Sequence, residues 1–143
     1  MAKRFTREEI KQRFQASIDA GQPIVIASAG IGIAAKFAER GGADMIGLFN
    51  SSYLGLGRVE ATSLMPYGNA NDIVMSLGDR IFPVVQNTPI LGGIIGSDPT
   101  REMTPFLKIM QFKGFPAVIN FPSPGFAYGQ HRRNLERNNY GVQ

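Results

Sequence analysis

The 143-residue sequence contains no cysteine and a single histidine. The first absence excludes disulfides, thiolate metal sites and a cysteine nucleophile, and it fits a reducing compartment. The second excludes a metal site built from several histidines and leaves any Ser-His-Asp triad dependent on His131 alone. His131 stands beside Arg132 and Arg133 and reads as a surface residue. Charge is sparse, 18% against 43% hydrophobic residues, so the chain is neither disordered nor fibrous. No apolar run approaches the roughly 18 residues of a membrane span. A basic stripe with interleaved aromatics is also missing. The excess behind the net charge of +4 lies in Lys3, Arg4, Arg7, Lys11 and Arg13 and again in Arg132, Arg133 and Arg137. No nucleic-acid partner and no membrane contact is expected from such a footprint. Residues 1–20 lack an apolar leader and carry Glu8, Glu9 and Asp19, so no targeting segment is expected either. The expectation is one cytoplasmic domain spanning residues 1–143.

Glycine, by contrast, is plentiful, with 17 residues placed mostly near the ends of apolar runs, where tight turns are needed. A helix is expected over 6–20. Thr6 and Glu9 have capping-box spacing, Phe5 and Ile10 fit a hydrophobic staple, and Ile10, Phe14 and Ile18 recur every four residues. Four apolar runs follow, "PIVIASAG", "DMIGLFNSS", "PILGGIIGSDP" and "AVINFPSPG", each leading into a helical pattern. The runs do not alternate with polar residues, as is usual where a parallel sheet is covered on both faces. Repeated strand–helix units require parallel strands with right-handed crossovers, so the class is α/β. Two architectures meet that requirement: a small doubly wound sheet, or part of a (β/α)8 barrel. Four units in 143 residues extrapolate to about 280 for eight, close to a typical barrel.

Several segments taken together carry a resemblance. "SAGIGIAAKFAERGGADMIGLFNSS", "LMPYGNANDIV", "PILGGIIGSDP" and "GFPAVINFPSPG" with "RRNLE" are similar, in order, to the phosphoenolpyruvate hydrolase-like family of TIM-barrel proteins, also described as a TIM-barrel signal-transduction domain. The most specific combination is Tyr67-Gly68-Asn69-Ala70-Asn71, Gly96-x-Asp98-Pro99 and Asn120-Phe121-Pro122. The resemblance implies barrel topology, with this chain as the N-terminal half, cut inside its fourth βα unit. It also implies an enzyme acting on a small phosphorylated or 2-oxo acid such as phosphoenolpyruvate, with Mg²⁺ polarising the substrate. The alternatives are a ligand-sensing or signalling barrel without turnover, and an inactive fragment. A half-barrel implies two apolar sheet edges, and hence self-association or edge pairing.

Barrel sites form at the C-terminal ends of the strands. Reading each apolar run to its end gives Ser28 and Gly30, Asn50 and Ser51, Asp98, and Asn120, which parallel strands would bring to one face. Ser28 to Gly32 precedes a helix, and the backbone N–H groups at Gly30 and Gly32 suit a phosphate or carboxylate; the plainer role is a tight turn with Ser28 as cap. Asp98 is the lone carboxylate of the set, a candidate Mg²⁺ ligand or acid/base, or else a helix cap before Pro99. Asn50, Ser51 and Asn120 offer neutral hydrogen bonds to substrate oxygens or to loop backbone. Asn69 is expected to cap a helix over about 70–81, and Tyr67 and Asn69 to reach toward the mouth. The long loop over 50–68, which includes Arg58, reads as a lid. Phe106, Leu107, Ile109, Met110 and Phe112 are expected as a core stripe.

Overall fold

The structure, a computed structural model, describes residues 3–54, 68–121, 123, 125 and 127–138. In chain order they form α1 (Arg7–Asp19), β1 (Ile26–Ser28), α2 (Gly32–Arg40), β2 (Met45–Leu48), a short 3-10 helix (Asn50–Leu54), α3 (Ala70–Ile81), β3 (Ile90–Ile94), α4 (Met103–Lys113), β4 (Ala117–Asn120) and α5 (Gly129–Arg137). The strands make one four-stranded sheet in the order β1-β2-β3-β4, every neighbouring pair parallel. A doubly wound sheet reverses its strand order at a switch point, whereas a barrel lays each strand beside the last. The consecutive order therefore makes this an α/β fragment of the TIM-barrel type.

The local signals in the sequence act where their chemistry puts them. Thr6 Oγ1 accepts from Glu9 N at 3.2 Å while Glu9 Oε2 accepts from Thr6 N at 2.7 Å, a complete capping box at the head of α1. Phe5 packs with Ile10 one turn into the helix. Ile18 departs from the expected stripe and is exposed.

The sheet sorts its side chains onto two faces, as strand geometry demands. Ile46 and Leu48 of β2 and Ile90 and Ile94 of β3 join Val74, Leu77 and Ile81 of α3 and Phe106 and Met110 of α4 in the main core. Met45, Leu91 and Ala117 point the other way and gather Ile10, Phe5 and Phe14 of the α1 region. Farther along that second face lie Gly47 and Gly93, and there the ring of Phe49 turns back over the sheet. A Cβ on Gly93 would sit 2.4 Å from Phe49 Cδ1, and one on Gly47 2.6 Å from Phe49 Cε2. Only glycine leaves room for this ring, which meets Phe121 edge-to-face at 5.0 Å between centroids.

Every residue of the two central strands is buried, but Ile26 on β1 and Val118 and Ile119 on β4 are exposed. The expected core stripe of α4 needs correcting in the same sense. Phe106 and Met110 are buried, whereas Leu107, Ile109 and Phe112 face outward, Phe112 at 80% exposure. The helix is apolar on more than one side, and a single sheet satisfies only the i, i+4 pair.

Candidate functional site

Parallel pairing brings the C-terminal ends of all four strands to one end of the sheet. At β1, the Ser28 hydroxyl lies 2.6 Å from the hydroxyl of Ser52, a residue that follows β2. Ser28 is therefore not the cap of α2. The N-cap position is Ile31, which makes no side-chain cap bond. Gly30 is buried under the 3-10 helix, where a Cβ would lie 1.6 Å from the Ser52 carbonyl oxygen. This contact demands glycine and holds Ser52 against Ser28. Asn50 is buried at the start of the same turn, and Ser51 is half-buried beside it. At the opposite edge of the sheet, on the same end, the Asn120 side-chain oxygen accepts from Gly96 N at 3.0 Å and so ties the end of β4 to the turn after β3.

The densest chemistry lies between β3 and α3. Asn69 Oδ1 accepts from Asn71 N at 2.8 Å and Asp72 N at 3.3 Å, which caps α3 over Ala70–Ile81 as the sequence predicts. Asn71, 0% exposed, aims its amide at the end of β3. Its Oδ1 accepts from Ile95 N at 2.9 Å and its Nδ2 donates to Ile95 O at 3.2 Å. The side chain thus stands in for a neighbouring strand's peptide, satisfying a buried backbone pair that β3 has outrun. Nδ2 also donates to Asp98 Oδ2 at 2.9 Å.

Asp98, 7% exposed, is the hub. Its Oδ1 accepts from Thr100 N at 2.9 Å and Thr100 Oγ1 at 2.6 Å. Its Oδ2 accepts from Asn69 Nδ2 and Asn71 Nδ2, both at 2.9 Å, and from Arg101 Nε. Helix α4 begins only at Met103, with Glu102 in the cap position, so Asp98 closes an Asx-type turn rather than capping a helix. Burial pushes the Asp98 carboxyl up, but the hydrogen bonds from Thr100, Asn69 and Asn71 outweigh it and hold the group well below the usual carboxylate range. Burial pulls Arg101 down, and its bonds to Asp72 and Asp98 more than restore it, leaving the guanidinium raised. Arg101 Nη1 reaches Asp72 at 3.1 Å, and the guanidinium lies 4.8 Å from the Phe106 ring centroid.

Those contacts test the expected Mg²⁺. The ion takes carboxylate oxygens in near-octahedral geometry. Two carboxylate oxygens offer about four lone-pair sites, and here five donors, one of them cationic, already point at them. Among the described residues no group of three or more histidine or carboxylate side chains is placed to hold a metal. The described residues do not fit the ion.

Of the residues picked from the sequence, Ser28, Gly30, Asn50, Ser51, Asn69, Asp98 and Asn120 lie on the strand-end side, and Gly32 opens α2 there. Tyr67 and Arg58, with most of the loop read as a lid, lie outside the described residues. His131 is exposed on α5. Sequence reading missed Ser52, Asn71, Thr100 and Arg101. Signals existed for two of them. Asparagine is a poor choice for a buried helical turn, and arginine just ahead of a helix opposes its dipole; each needs a tertiary reason. A cleft of about 580 Å³ opens away from this end, between Arg4 and Arg7 and the residues around Pro116 at the start of β4.

Consecutive parallel βα units whose strand ends converge on small and polar side chains define a barrel-type α/β protein. The chain belongs to the phosphoenolpyruvate hydrolase-like family, whose model matches residues 9–143. It is 41% identical over 136 residues to the ToMV resistance protein Tm-1(GCR237) of Solanum lycopersicum, covering 94% of this chain and 18% of that one. The ToMV susceptible protein tm-1(GCR26) of the same plant is 41% identical over 133 residues, covering 92% and 18%. A Sinorhizobium fredii protein named as a candidate transcriptional regulator, y4pA, is 33% identical over 142 residues, covering 96% and 23%. The chain thus spans less than a quarter of the length of each of these three relatives. No described helix is long and apolar enough to cross a membrane.

Proposed function

We propose that this chain contributes one side of a barrel mouth that binds a small phosphorylated or 2-oxo acid of the phosphoenolpyruvate type, as part of a hydrolase- or lyase-like enzyme. One observation carries the reading: groups from separate strand ends converge on one side, with the Ser28–Ser52 hydroxyl pair beside Gly30 and the uncapped start of α2. Hydroxyls and the N–H groups around Gly32 receive the anion there. Asn50, Ser51 and Asn120 direct the substrate's oxygens, with Asn69 on the far rim. Because Asp98 is engaged by five donors, no step is routed through a metal held by it. The test is phosphate release from phosphoenolpyruvate by a complete barrel, with and without Ser28→Ala. Turnover that survives Ser28→Ala unchanged removes the hydroxyl pair from the site.

The names of the tomato relatives, one of resistance and one of susceptibility, favour a second reading, a ligand-sensing or interaction module that uses the same mouth without turnover. Tight phosphoenolpyruvate binding with no product after long incubation selects it. The exposed apolar residues on β1 and β4 support self-association through the sheet edges. Light scattering of the 143-residue chain tests this, and a monodisperse monomer rules it out.

A further inference from the structure

We infer that Asp98 is a positioning residue, which uses its buried carboxylate to hold the turn after β3 and the head of α3 in one piece, and is not a metal ligand. The contacts are complementary on both sides. Thr100 supplies Oδ1 with a backbone and a hydroxyl donor; Asn69, Asn71 and Arg101 supply Oδ2 from α3 and from the turn itself. The three donors to Oδ2 each have a second task. Asn69 caps α3, Asn71 pairs both polar groups of Ile95, and Arg101 pairs Asp72. Ile95 leads to Gly96, whose N–H holds Asn120 at the end of β4. One ionised group therefore sets the spacing of α3, β3 and β4 at the mouth. The Asp98 charge already has a cationic partner, because Arg101 pairs it and Asp72 together. A divalent cation on Oδ2 displaces Arg101 and the two amide donors, and the fully buried Asn71 amide then loses one of its two acceptors. A carboxylate kept as a ligand needs the opposite arrangement, with lone pairs turned to an open, water-filled position. The assignment holds whichever ligand the mouth takes, so its test is independent of turnover.

The experiment is NMR on the full 143-residue chain, wild type and Asp98→Asn, with hydrogen exchange and a titration with Mn²⁺ alone. Asp98→Asn keeps the shape and removes the charge. Expected is roughly tenfold faster exchange at Ile95, Gly96 and Thr100, with protection at Leu48 and Ile81 unchanged. Millimolar Mn²⁺ is expected to leave residues 97–101 of the wild type unbroadened. Thr100→Val, which removes one donor and keeps the carboxylate, should give the same pattern at smaller size if Asp98→Asn fails to fold. Two results overturn the assignment: Mn²⁺ broadening at 97–101 that Asp98→Asn abolishes, or exchange at Ile95 and Gly96 that neither variant changes.

Discussion

Asn71→Asp is a sharp probe of the network, because it alters chemistry without altering shape. The wild-type Nδ2 donates to Ile95 O at 3.2 Å and Asp98 Oδ2 at 2.9 Å, and Oδ1 accepts from Ile95 N at 2.9 Å. In the variant an oxygen replaces the donor and faces a second carboxylate. At that separation two unit charges repel by about 6 kcal/mol at an effective dielectric near 20. The alternative is to keep the new carboxyl protonated, which costs about 4 kcal/mol at pH 7 for a group with an unfolded pKa near 3.9. The cheaper route wins. Asp98, held by Arg101 and Thr100, stays ionised, and the new carboxyl takes the proton and donates it to Asp98. Its folded pKa is thus raised above the unfolded one. The stability this proton maintains is fully present below about pH 4 and is lost as pH rises, by about 1.4 kcal/mol per unit. Urea unfolding of wild type and variant at pH 4.5, 5.5, 6.5 and 7.5 reads the deficit directly. It should grow by about 4 kcal/mol, from roughly 1–2 to about 5–6 kcal/mol across the series. A deficit that stays flat between pH 5 and 7 refutes the contact between Asn71 and an ionised Asp98.

Gly93→Ala should cost about 1–3 kcal/mol by overpacking against Phe49, and Phe49→Leu should recover about 1 kcal/mol or more of that loss in a double-mutant cycle. Strict additivity in chemical denaturation would place the ring elsewhere. Gly30→Ala drives a methyl into the Ser52 carbonyl and should separate the two hydroxyls; thermal melts that match wild type would contradict the close approach. Thr6→Ala should destabilise α1 by about 1 kcal/mol. The Glu9 carboxyl is lowered to about 2, chiefly by the Thr6 backbone hydrogen bond, then by Lys3 and the Thr6 side chain. That stability is present above the unfolded value near 4.5 and fades as pH falls toward about 2, so the Thr6→Ala difference in melting temperature should shrink below pH 4.

The two caps legible in the sequence, Thr6 with Glu9 and Asn69 before Ala70, are local events. Each needs only a side chain and a backbone N–H two or three residues away, so spacing alone reveals them. The same holds for the four strand–helix units, since apolar runs and turn residues encode period and length. Reading runs to their ends also gave Ser28, Asn50, Asp98 and Asn120, because parallel strands must place those ends together.

Roles did not follow from position in the same way. Ser28 and Asp98 were each open to a capping reading, and their actual partners, Ser52 and the α3 asparagines, lie 24 to 29 residues away. Strand order separated a barrel from a doubly wound sheet, and that order is a relation between distant segments. The outward turn of Ile109 and Phe112 depends on where one sheet stops offering surface. What the sequence by itself determined was the set of elements, their caps and the end of the sheet to which polar groups come, all consequences of contacts within a few residues. The tertiary structure alone decided which of those groups touch. A buried carboxylate surrounded by five donors is a structural hub, whereas the same carboxylate facing water would be free to bind metal, and only packing distinguishes the two.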